Sequence, residues 1–408
     1  MAHYNDCMLL TGKDRVAVII AVGAFFICVT MGVRQSFGLY LPIYTETLGI
    51  GRDTFSLAIG LQNIMWGIAS PFFGALADRR GPTIAVTLGG VLFTLGMLLM
   101  AMAGGGGTLT LAQIFVGLGV AGAGFSVVLG TVGKIVPPKR RAFSLAIVTA
   151  AGSFGQFVIV PLAQMVIAAL GARSSLLILG GVSFLIILCA PLFKLPTTVP
   201  RTQTSISSWT VLAYALRSHS YVLLLTGFFV CGFQVVFVAT HLPAYAADAG
   251  LSPASAVTAL AFIGLFNIIG TLTCGWLGDR IAKKDVLAIF YLLRAAVIAG
   301  FLIVPLTPFS LMVFGAAIGF LWLGTVPLTS GLVAVMFGAR HLSMLYGFVF
   351  FSHQVGSFCG AWLGGLFYDW LGGYDVVWYL SIALGVLAAI LHYPIRERAD
   401  AAFFSQFA

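Results

Sequence analysis

The sequence predicts an all-α membrane protein with twelve transmembrane helices in two pseudo-symmetric six-helix bundles. The first observation behind this prediction is the composition: 60% of the 408 residues are hydrophobic and only 8% are charged, whereas soluble domains carry about 25% charged residues. The second is the regular recurrence of apolar runs long enough to span a bilayer. The third is an internal repeat that relates the two halves of the chain.

The apolar runs give the positions of the helices. A spanning helix needs about 20 mostly apolar residues, and clusters of Gly, Pro and charged residues separate such runs here. The predicted spans are 16–43, 54–76, 83–103, 109–133, 142–168, 174–193, 219–246, 255–277, 286–306, 310–335, 342–368 and 374–393. The first run is too long for a signal peptide, so we expect the first helix to be retained.

The positions of Lys and Arg predict the orientation, because these residues collect in cytoplasmic loops. Of the 21 Lys and Arg residues, seventeen fall on one side of the spans, Arg52 and Arg173 fall on the other, and two lie inside spans. We therefore expect an inner (plasma) membrane protein with both termini in the cytoplasm. The longest hydrophilic connection predicts an N-terminal bundle (1–193), a cytoplasmic linker (194–218) and a C-terminal bundle (219–408).

The internal repeat appears when one half is laid on the other at an offset of 201 residues. The segment "YLPIYTETLGI" (40–50) then aligns with "HLPAYAADAGL" (241–251), and "GALADRRG" (74–81) aligns with "GWLGDRIA" (275–282). A parallel repeat of six helices relates the two halves by an axis along the membrane normal. A cavity can form between halves related in this way.

Both copies of the loop segment point to a family. The segment "GALADRRG" resembles the signature of the major facilitator superfamily between its second and third spans, and "GWLGDRIA" is the second copy. Within that superfamily, "GVRQSFGLYLP" and "PPKRRAFSLAIVTAAGSFG" resemble the branch of monocarboxylate transporters and oxalate:formate antiporters, including its bacterial members. The resemblance implies a secondary transporter that works by alternating access of two bundles.

The charged residues of the signature are predicted to gate the cytoplasmic side. Asp78 and Arg79 in the first copy, and Asp279 and Arg280 in the second, lie at helix ends where acid and base can pair across a loop. The alternative is that they are ordinary solvated loop charges.

The ionisable residues inside the predicted spans are basic. All twelve acidic residues fall in loops, tails or helix ends, whereas Arg34, His241, Arg294 and His353 lie within spans. Because a charge in hydrocarbon costs at least about 2.5 kcal/mol, we expect Arg34 to face a cavity in which a substrate carboxylate is its partner. A guanidinium matches a carboxylate by two parallel hydrogen bonds. The alternatives are an Arg34 that snorkels to the interface or bonds a backbone carbonyl.

His353 is the second predicted substrate ligand. It lies near the middle of span 342–368, with Tyr346 on the same side of the helix. The resemblance places it where oxalate:formate antiporters carry a substrate-facing Lys, and His titrates near physiological pH, so we also predict His353 as the proton-coupling residue. The alternative is a hydrogen-bonded packing histidine. The resemblance implies a functional Arg in span eight, but the corresponding residue here is Thr271. Without that second cation, a singly charged substrate is favoured over the doubly charged oxalate.

Four amides inside spans complete the predicted substrate site, with interhelical hydrogen bonding as their alternative role. They are Asn63, Gln234, Asn267 and Gln354. His241 and its repeat mate Tyr40 lie near outer helix ends and are predicted gating residues, or else amphipathic residues at the interface. Arg294 falls in a helix that lies outside the cavity lining in this superfamily, so we predict a structural role.

These features predict the transport of a small organic anion, above all a monocarboxylate, with proton symport favoured over anion exchange. A non-transporting membrane sensor of the same fold is the remaining alternative. We expect no enzymatic activity, cofactor or metal, because the sequence has no metal triad, nucleophile with adjacent His and acid, or P-loop. The net charge of +9 is assigned to cytoplasmic loops rather than to nucleic-acid binding, and we expect a monomer in the lipid bilayer.

Overall fold

The structure is a computed structural model that describes residues 12–136, 138–194, 208–338 and 342–407. These ranges are almost entirely α-helical and contain no strand, which confirms the all-α class. Most of the predicted linker 194–218 lies outside the described residues, as does Arg340. The division of the chain into two bundles and a linker therefore stays a prediction.

The first half of the chain contains seven helical segments. They are α1 (Gly12–Gln35), α2 (Tyr40–Leu48), α3 (Arg52–Arg80), α4 (Pro82–Ala101), α5 (Gly106–Ala123), α6 (Phe125–Ile135) and α7 (Pro138–Cys189). A short 3-10 turn joins α1 to α2, so the two together form the first predicted span.

Helix α7 covers two predicted spans because the chain reverses within it. Gly171 has a φ of 81°, in the left-handed region that favours glycine. Ser175 Oγ donates to the Ala163 carbonyl at 3.2 Å, although twelve residues of straight helix would separate them by about 18 Å. The turn at Gly171 therefore lies between the predicted spans 142–168 and 174–193.

The second half begins after the short helix α8 (Ser208–Ala215). Its helices are α9 (His219–Asp248), α10 (Pro253–Gly278), α11 (Lys283–Ile303), α12 (Pro308–Phe320), α13 (Thr325–Phe337), α14 (Leu342–Leu371), α15 (Asp375–His392) and α16 (Ala401–Phe407).

Within the described residues, nine helical segments are long and apolar enough to cross a membrane. One of the nine, Ile147–Leu192, contains the reversal at Gly171. Two further helices, α3 and α14, are 29 and 30 residues long and cover the predicted spans 54–76 and 342–368. A multi-pass membrane protein is thus confirmed, while the count of twelve spans stays a prediction.

Two membrane helices are broken at corresponding positions of the repeat. Gly124 separates α5 from α6, and residues 321–324 separate α12 from α13. The offset of 201 carries Gly124 onto Thr325, where α13 begins. In the second copy Pro327 accounts for the break, because a proline has no N–H for the carbonyl four residues earlier and its ring clashes with that carbonyl.

Arg294 of α11 caps the break between α12 and α13. Its Nη2 donates to the Leu321 carbonyl at 2.5 Å and to the Trp322 carbonyl at 2.8 Å, and its Nη1 donates to Gln234 Oε1 at 3.2 Å. The side chain is 1% exposed. Because an unpaired backbone carbonyl inside a membrane costs several kcal/mol, these bonds explain how a buried arginine and a broken helix occur together.

The two halves of the chain meet along α3 with α14 and along α7 with α10. We call the two ends of the molecule the Arg52 end, where α3 begins, and the Asp78 end, where α3 terminates. Gly60 of α3 packs on Phe358, and a Cβ at Gly67 would lie 3.0 Å from the Gln354 side chain. The α3–α14 contact therefore extends from the Arg52 end to the middle of the helices.

The α7–α10 contact has the same extent. Asn267 Nδ2 donates to Ser153 Oγ at 2.8 Å, and Gln156 Nε2 donates to the Leu260 carbonyl at 3.0 Å. Toward the Asp78 end, the signature glycines Gly74 and Gly275 have no atom within 4 Å of a Cβ position. The contacts between the halves described above therefore lie between the Arg52 end and the middle of the helices.

We predict that Arg294→Met lowers the thermal stability of the purified protein, because two carbonyls in the break lose their donors at about 1–3 kcal/mol each. Arg294→Lys keeps one charged donor and should recover part of the loss. Arg280→Met is the control, since the exposed Arg280 donates only to the Trp276 carbonyl of its own helix end. Equal unfolding temperatures for Arg294→Met and the parent would contradict the capping role.

Candidate functional site

Arg34 lies near the end of α1, between the two halves of the chain. It lines a small cavity of about 10 Å³, which has room for about one water molecule. The other lining residues come from both halves: Gln35, Phe37, Gly38, Ile59, Gln62, Val236, Ala239 and Thr240. The structure thus places the guanidinium at the junction of α1, α3 and α9 and not at the outer surface.

The partners of Arg34 are an amide and an aromatic ring. Nη2 donates to Asn63 Oδ1 at 2.5 Å, and the guanidinium carbon lies 5.1 Å from the centre of the Trp66 ring. Nε is buried without a hydrogen-bond partner, and no ion pair among the described residues includes Arg34. The site therefore has a positive charge that the surrounding described side chains do not neutralise.

A chain of hydrogen bonds leads from Arg34 into the second half. Asn63 Nδ2 donates to the Ile59 carbonyl at 2.8 Å, which keeps its Oδ1 facing Arg34. The Asn63 backbone carbonyl accepts from Gln354 Nε2 at 3.3 Å. Gln354 Oε1 in turn lies 3.0 Å from His353 Nδ1. Four of the predicted site residues are thus connected across the α3–α14 contact.

The Gln354 amide sets the tautomer of His353. Because its Nε2 donates to Asn63, the oxygen that faces His353 Nδ1 can only accept, and Nδ1 must carry the proton of the neutral ring. His353 Nε2 is then an unprotonated nitrogen. The ring is 6% exposed, and within the described part of the chain Nε2 has no hydrogen-bond partner.

Tyr346, Asn267 and Gln234 lie in three different surroundings. The Tyr346 ring lies 6.3 Å from that of Phe228, which is in turn 4.9 Å from the His353 ring. Asn267 is at the second contact between the halves, where its Oδ1 also accepts from the Leu323 amide at 3.0 Å. The Gln234 side chain is bonded within the second half, to Arg294 and to the Ser381 carbonyl, and is not part of the Arg34 group.

The predicted gating residues of the signature lie at the Asp78 end. Asp78 pairs with Lys134 of α6 in the same half of the chain. Arg280 stacks on Trp276 at 4.2 Å, and Arg79 and Asp279 are exposed. The gating role of these four residues stays a prediction.

A charged cluster that the sequence analysis did not anticipate joins the halves at the Arg52 end. Arg52 of α3 makes two hydrogen bonds of 2.6 Å to the carboxylate of Asp248 on α9. Its Nη1 also donates to Tyr374 Oη at 2.7 Å, and its guanidinium carbon lies 3.7 Å from the Tyr368 ring centre. Asp369 accepts from the first backbone amides of α3. We call these residues the Arg52 cluster.

His241 belongs to this cluster, whereas Tyr40 does not. His241 Nε2 donates to the Ala361 carbonyl at 2.8 Å, so Nδ1 is free to accept from Tyr374 Oη at 3.3 Å. Tyr40 Oη instead bonds Ser175 Oγ at 2.8 Å inside the first half. The repeat mates Tyr40, at the start of α2, and His241, in α9, therefore have different contacts.

Two further residues near Arg34 were not among the predicted site residues, although Gln62 is a mid-span amide like Asn63. Trp66 lies under the guanidinium, and Gln62 lines the same cavity with both side-chain polar atoms unpartnered within the described residues. The helical spacing of Gln62, Asn63 and Trp66 on one span was the available signal. Arg52 had a weaker signal, as one of only two basic residues on the predicted outer side.

Comparison with known proteins gives the family. The family model of the Major Facilitator Superfamily matches residues 20–325 and 268–407. An uncharacterised MFS-type transporter from Bacillus subtilis, YcxA, is 26% identical over 375 residues, covering 88% of this chain and 90% of its own.

Two vertebrate relatives carry a functional name. Monocarboxylate transporter 12 from Rattus norvegicus is 24% identical and covers 91% of this chain and 84% of its own. Monocarboxylate transporter 11 from Homo sapiens is 26% identical and covers 90% of this chain and 80% of its own. The chain thus belongs to the major facilitator superfamily of membrane transporters and is similar to its monocarboxylate transporter branch.

Proposed function

We propose that this transporter carries a small organic anion of the monocarboxylate class by alternating access, coupled to protons. The observation that carries the proposal is Arg34: a cation at the junction of the two halves, with no carboxylate partner among the described residues and an unpartnered Nε. Two of the relatives are named monocarboxylate transporters, which supports the same class of substrate.

The geometry of Arg34 favours a carboxylate with a single charge. A carboxylate accepts two parallel hydrogen bonds from one edge of a guanidinium, and Nε, which belongs to one such edge, has no hydrogen-bond partner among the described residues. Arg294, the other buried arginine, uses its Nη atoms on the break carbonyls and Gln234. One cation is therefore left for the substrate, which matches a monoanion better than a dicarboxylate.

His353 supplies a place for the coupled proton. In the neutral ring, Nε2 is an acceptor and repels a carboxylate oxygen, whereas a proton on Nε2 turns it into a charged donor. The anion and the proton therefore raise each other's affinity, as thermodynamic linkage requires. Gln354 contributes because its Oε1 accepts a hydrogen bond from His353 Nδ1, which leaves Nε2 as the nitrogen that takes up the coupled proton.

The distribution of contacts between the halves supports alternating access. The Arg52 cluster joins α3 to α9 and α14 at one end, while the signature glycines at the Asp78 end have no close neighbours. By the predicted orientation, the Arg52 cluster closes the outer side. For the opposite state to form, the two hydrogen bonds between Arg52 and Asp248 must break.

Uptake into proteoliposomes tests the function. We expect a radiolabelled monocarboxylate, such as lactate, to accumulate when a pH gradient is imposed without internal anion. Arg34→Gln should reduce this uptake about 10- to 100-fold, because a hydrogen bond to a charged group contributes about 1.5–3 kcal/mol. Arg173→Gln, the same change at an exposed arginine, is the control.

Each other outcome of the uptake experiment has a defined meaning. Uptake only with anion inside the vesicles indicates exchange and excludes proton symport. Binding of monocarboxylates without uptake indicates a sensor. Unchanged uptake by Arg34→Gln, with normal insertion and folding, removes Arg34 from the substrate site.

We predict that His353→Gln removes the dependence of uptake on the imposed pH gradient while leaving exchange of labelled against unlabelled anion. The side-chain amide of the introduced glutamine can still form a hydrogen bond with Gln354. It cannot take up a proton as an imidazole does. His392→Gln is the matched control, since His392 is fully buried in the second half, where Nδ1 donates to the Ala388 carbonyl. An identical pH profile for His353→Gln and the parent would reduce His353 to a packing residue.

A further inference from the structure

A group of aromatic side chains extends from Arg34 toward the Asp78 end. The rings come from four helices, α3, α6, α9 and α14, and so from both halves of the chain. We call this group the aromatic wall: Trp66, Phe125, Phe228, Tyr346, Phe350 and the ring of His353.

The rings of the aromatic wall form one continuous surface. Trp66 stacks on Phe125 at 6.5 Å and meets Phe350 edge-on at 5.2 Å. Phe350 is parallel to the His353 ring at 5.7 Å, and Phe228 lies 4.9 Å from that ring. Every ring in this series is therefore in contact with the next.

This surface begins directly at the cation of the proposed substrate site. The Trp66 ring lies under the Arg34 guanidinium. Trp66 Nε1 and His353 Nε2 are both buried without a partner among the described residues. A ligand whose carboxylate is held by Arg34 would thus place the rest of its body along Trp66 and Phe350.

Movement of the two halves exposes this surface. Trp66 is on α3 of the first half and Phe350 is on α14 of the second, so their contact breaks when the halves separate. Each aromatic side chain buries about 150–250 Å². Acetate, with only a methyl group beyond its carboxylate, leaves these faces in water, whereas a flat apolar ring replaces the lost edge-to-face contact between Trp66 and Phe350.

We propose that the preferred substrates are monocarboxylates with an aromatic or similarly flat apolar body. The carboxylate binds Arg34, and the ring lies between Trp66 of the first half and Phe350 of the second. This proposal rests on the proposed function, since it takes Arg34 as the anion ligand. It adds that the body of the anion, and not only its charge, is recognised.

Calorimetry on the full-length purified protein tests this proposal with four probes: phenylacetate, acetate, phenylacetamide and phenylethylamine. Phenylacetate should bind at least about tenfold more tightly than acetate, which corresponds to about 1.4 kcal/mol. The neutral amide and the cationic amine should bind at least tenfold more weakly than phenylacetate. Arg34→Gln should remove the preference for the anion.

Variants of the wall separate ring recognition from charge recognition. Trp66→Leu and Phe350→Leu should each reduce the ratio of phenylacetate to acetate affinity several-fold, because the loss of a ring weakens the binding of phenylacetate more than that of acetate. Phe72→Leu is the matched control, because Phe72 is on the same helix as Trp66 but is 72% exposed. If one wall variant does not fold, the other still gives the answer, since the two residues lie on different helices.

The outcomes distinguish this inference from the proposed function. Equal affinity for acetate and phenylacetate overturns the aromatic preference and leaves anion transport in place. Equal affinity for phenylacetate and phenylethylamine, or no binding of any carboxylate, overturns both. An unchanged affinity ratio in Trp66→Leu and Phe350→Leu removes the aromatic wall from the binding site.

Discussion

A buried guanidinium without a buried carboxylate is the constraint on which the rest of this structure depends. Among the residues that the structure describes, Arg34 and Arg294 are such arginines, and the chain stabilises them in different ways. Arg294 is surrounded by acceptors: two carbonyls of a broken helix and the oxygen of Gln234. Arg34 has one amide oxygen and one aromatic face, and its Nε remains without a partner in the described residues. Nε of Arg294 also has no partner among the described residues, so the two arginines differ in the number of acceptors: Arg294 makes three hydrogen bonds and Arg34 makes one.

The positions of the two arginines explain this difference. The partners of Arg294 all lie within the second half, on α9 and in the break between α12 and α13. Arg34 lies where α1 meets α3 and α9, so its surroundings include both halves. In the proposed alternating-access cycle, a ligand bound there would contact both halves, and its differential contacts with the two states would shift the equilibrium between them. The Arg52 cluster joins the same two halves at one end and thus opposes that shift.

Much of this arrangement could be predicted from the sequence, because hydropathy and charge placement act over whole helices. The all-α class, the membrane segments and the isolated cations follow from runs of twenty residues and from the absence of acids within them. The break at 321–324 was not predicted, although Pro327 marks it, because a proline in an apolar run also occurs in continuous helices, as Pro71 does in α3. Gln234 was predicted as a site residue because it is an amide within a span. On α9 its side chain faces Arg294 rather than Arg34. Trp66 and Arg52 acquire their importance only from helices distant in sequence, and a local pattern carries no information about such contacts.

The central claim is that Arg34 holds the carboxylate of the substrate, and a distance measurement tests it most directly. Protein labelled with ¹⁵N in its arginine side chains would be loaded in lipid with phenylacetate and, separately, with lactate, each carrying ¹³C in the carboxylate. Solid-state NMR dipolar recoupling should then give a carbon to guanidinium nitrogen distance of about 4 Å, as expected for two parallel hydrogen bonds, and Arg34→Gln should abolish it. A bound, labelled carboxylate with no arginine nitrogen within that distance would contradict the account.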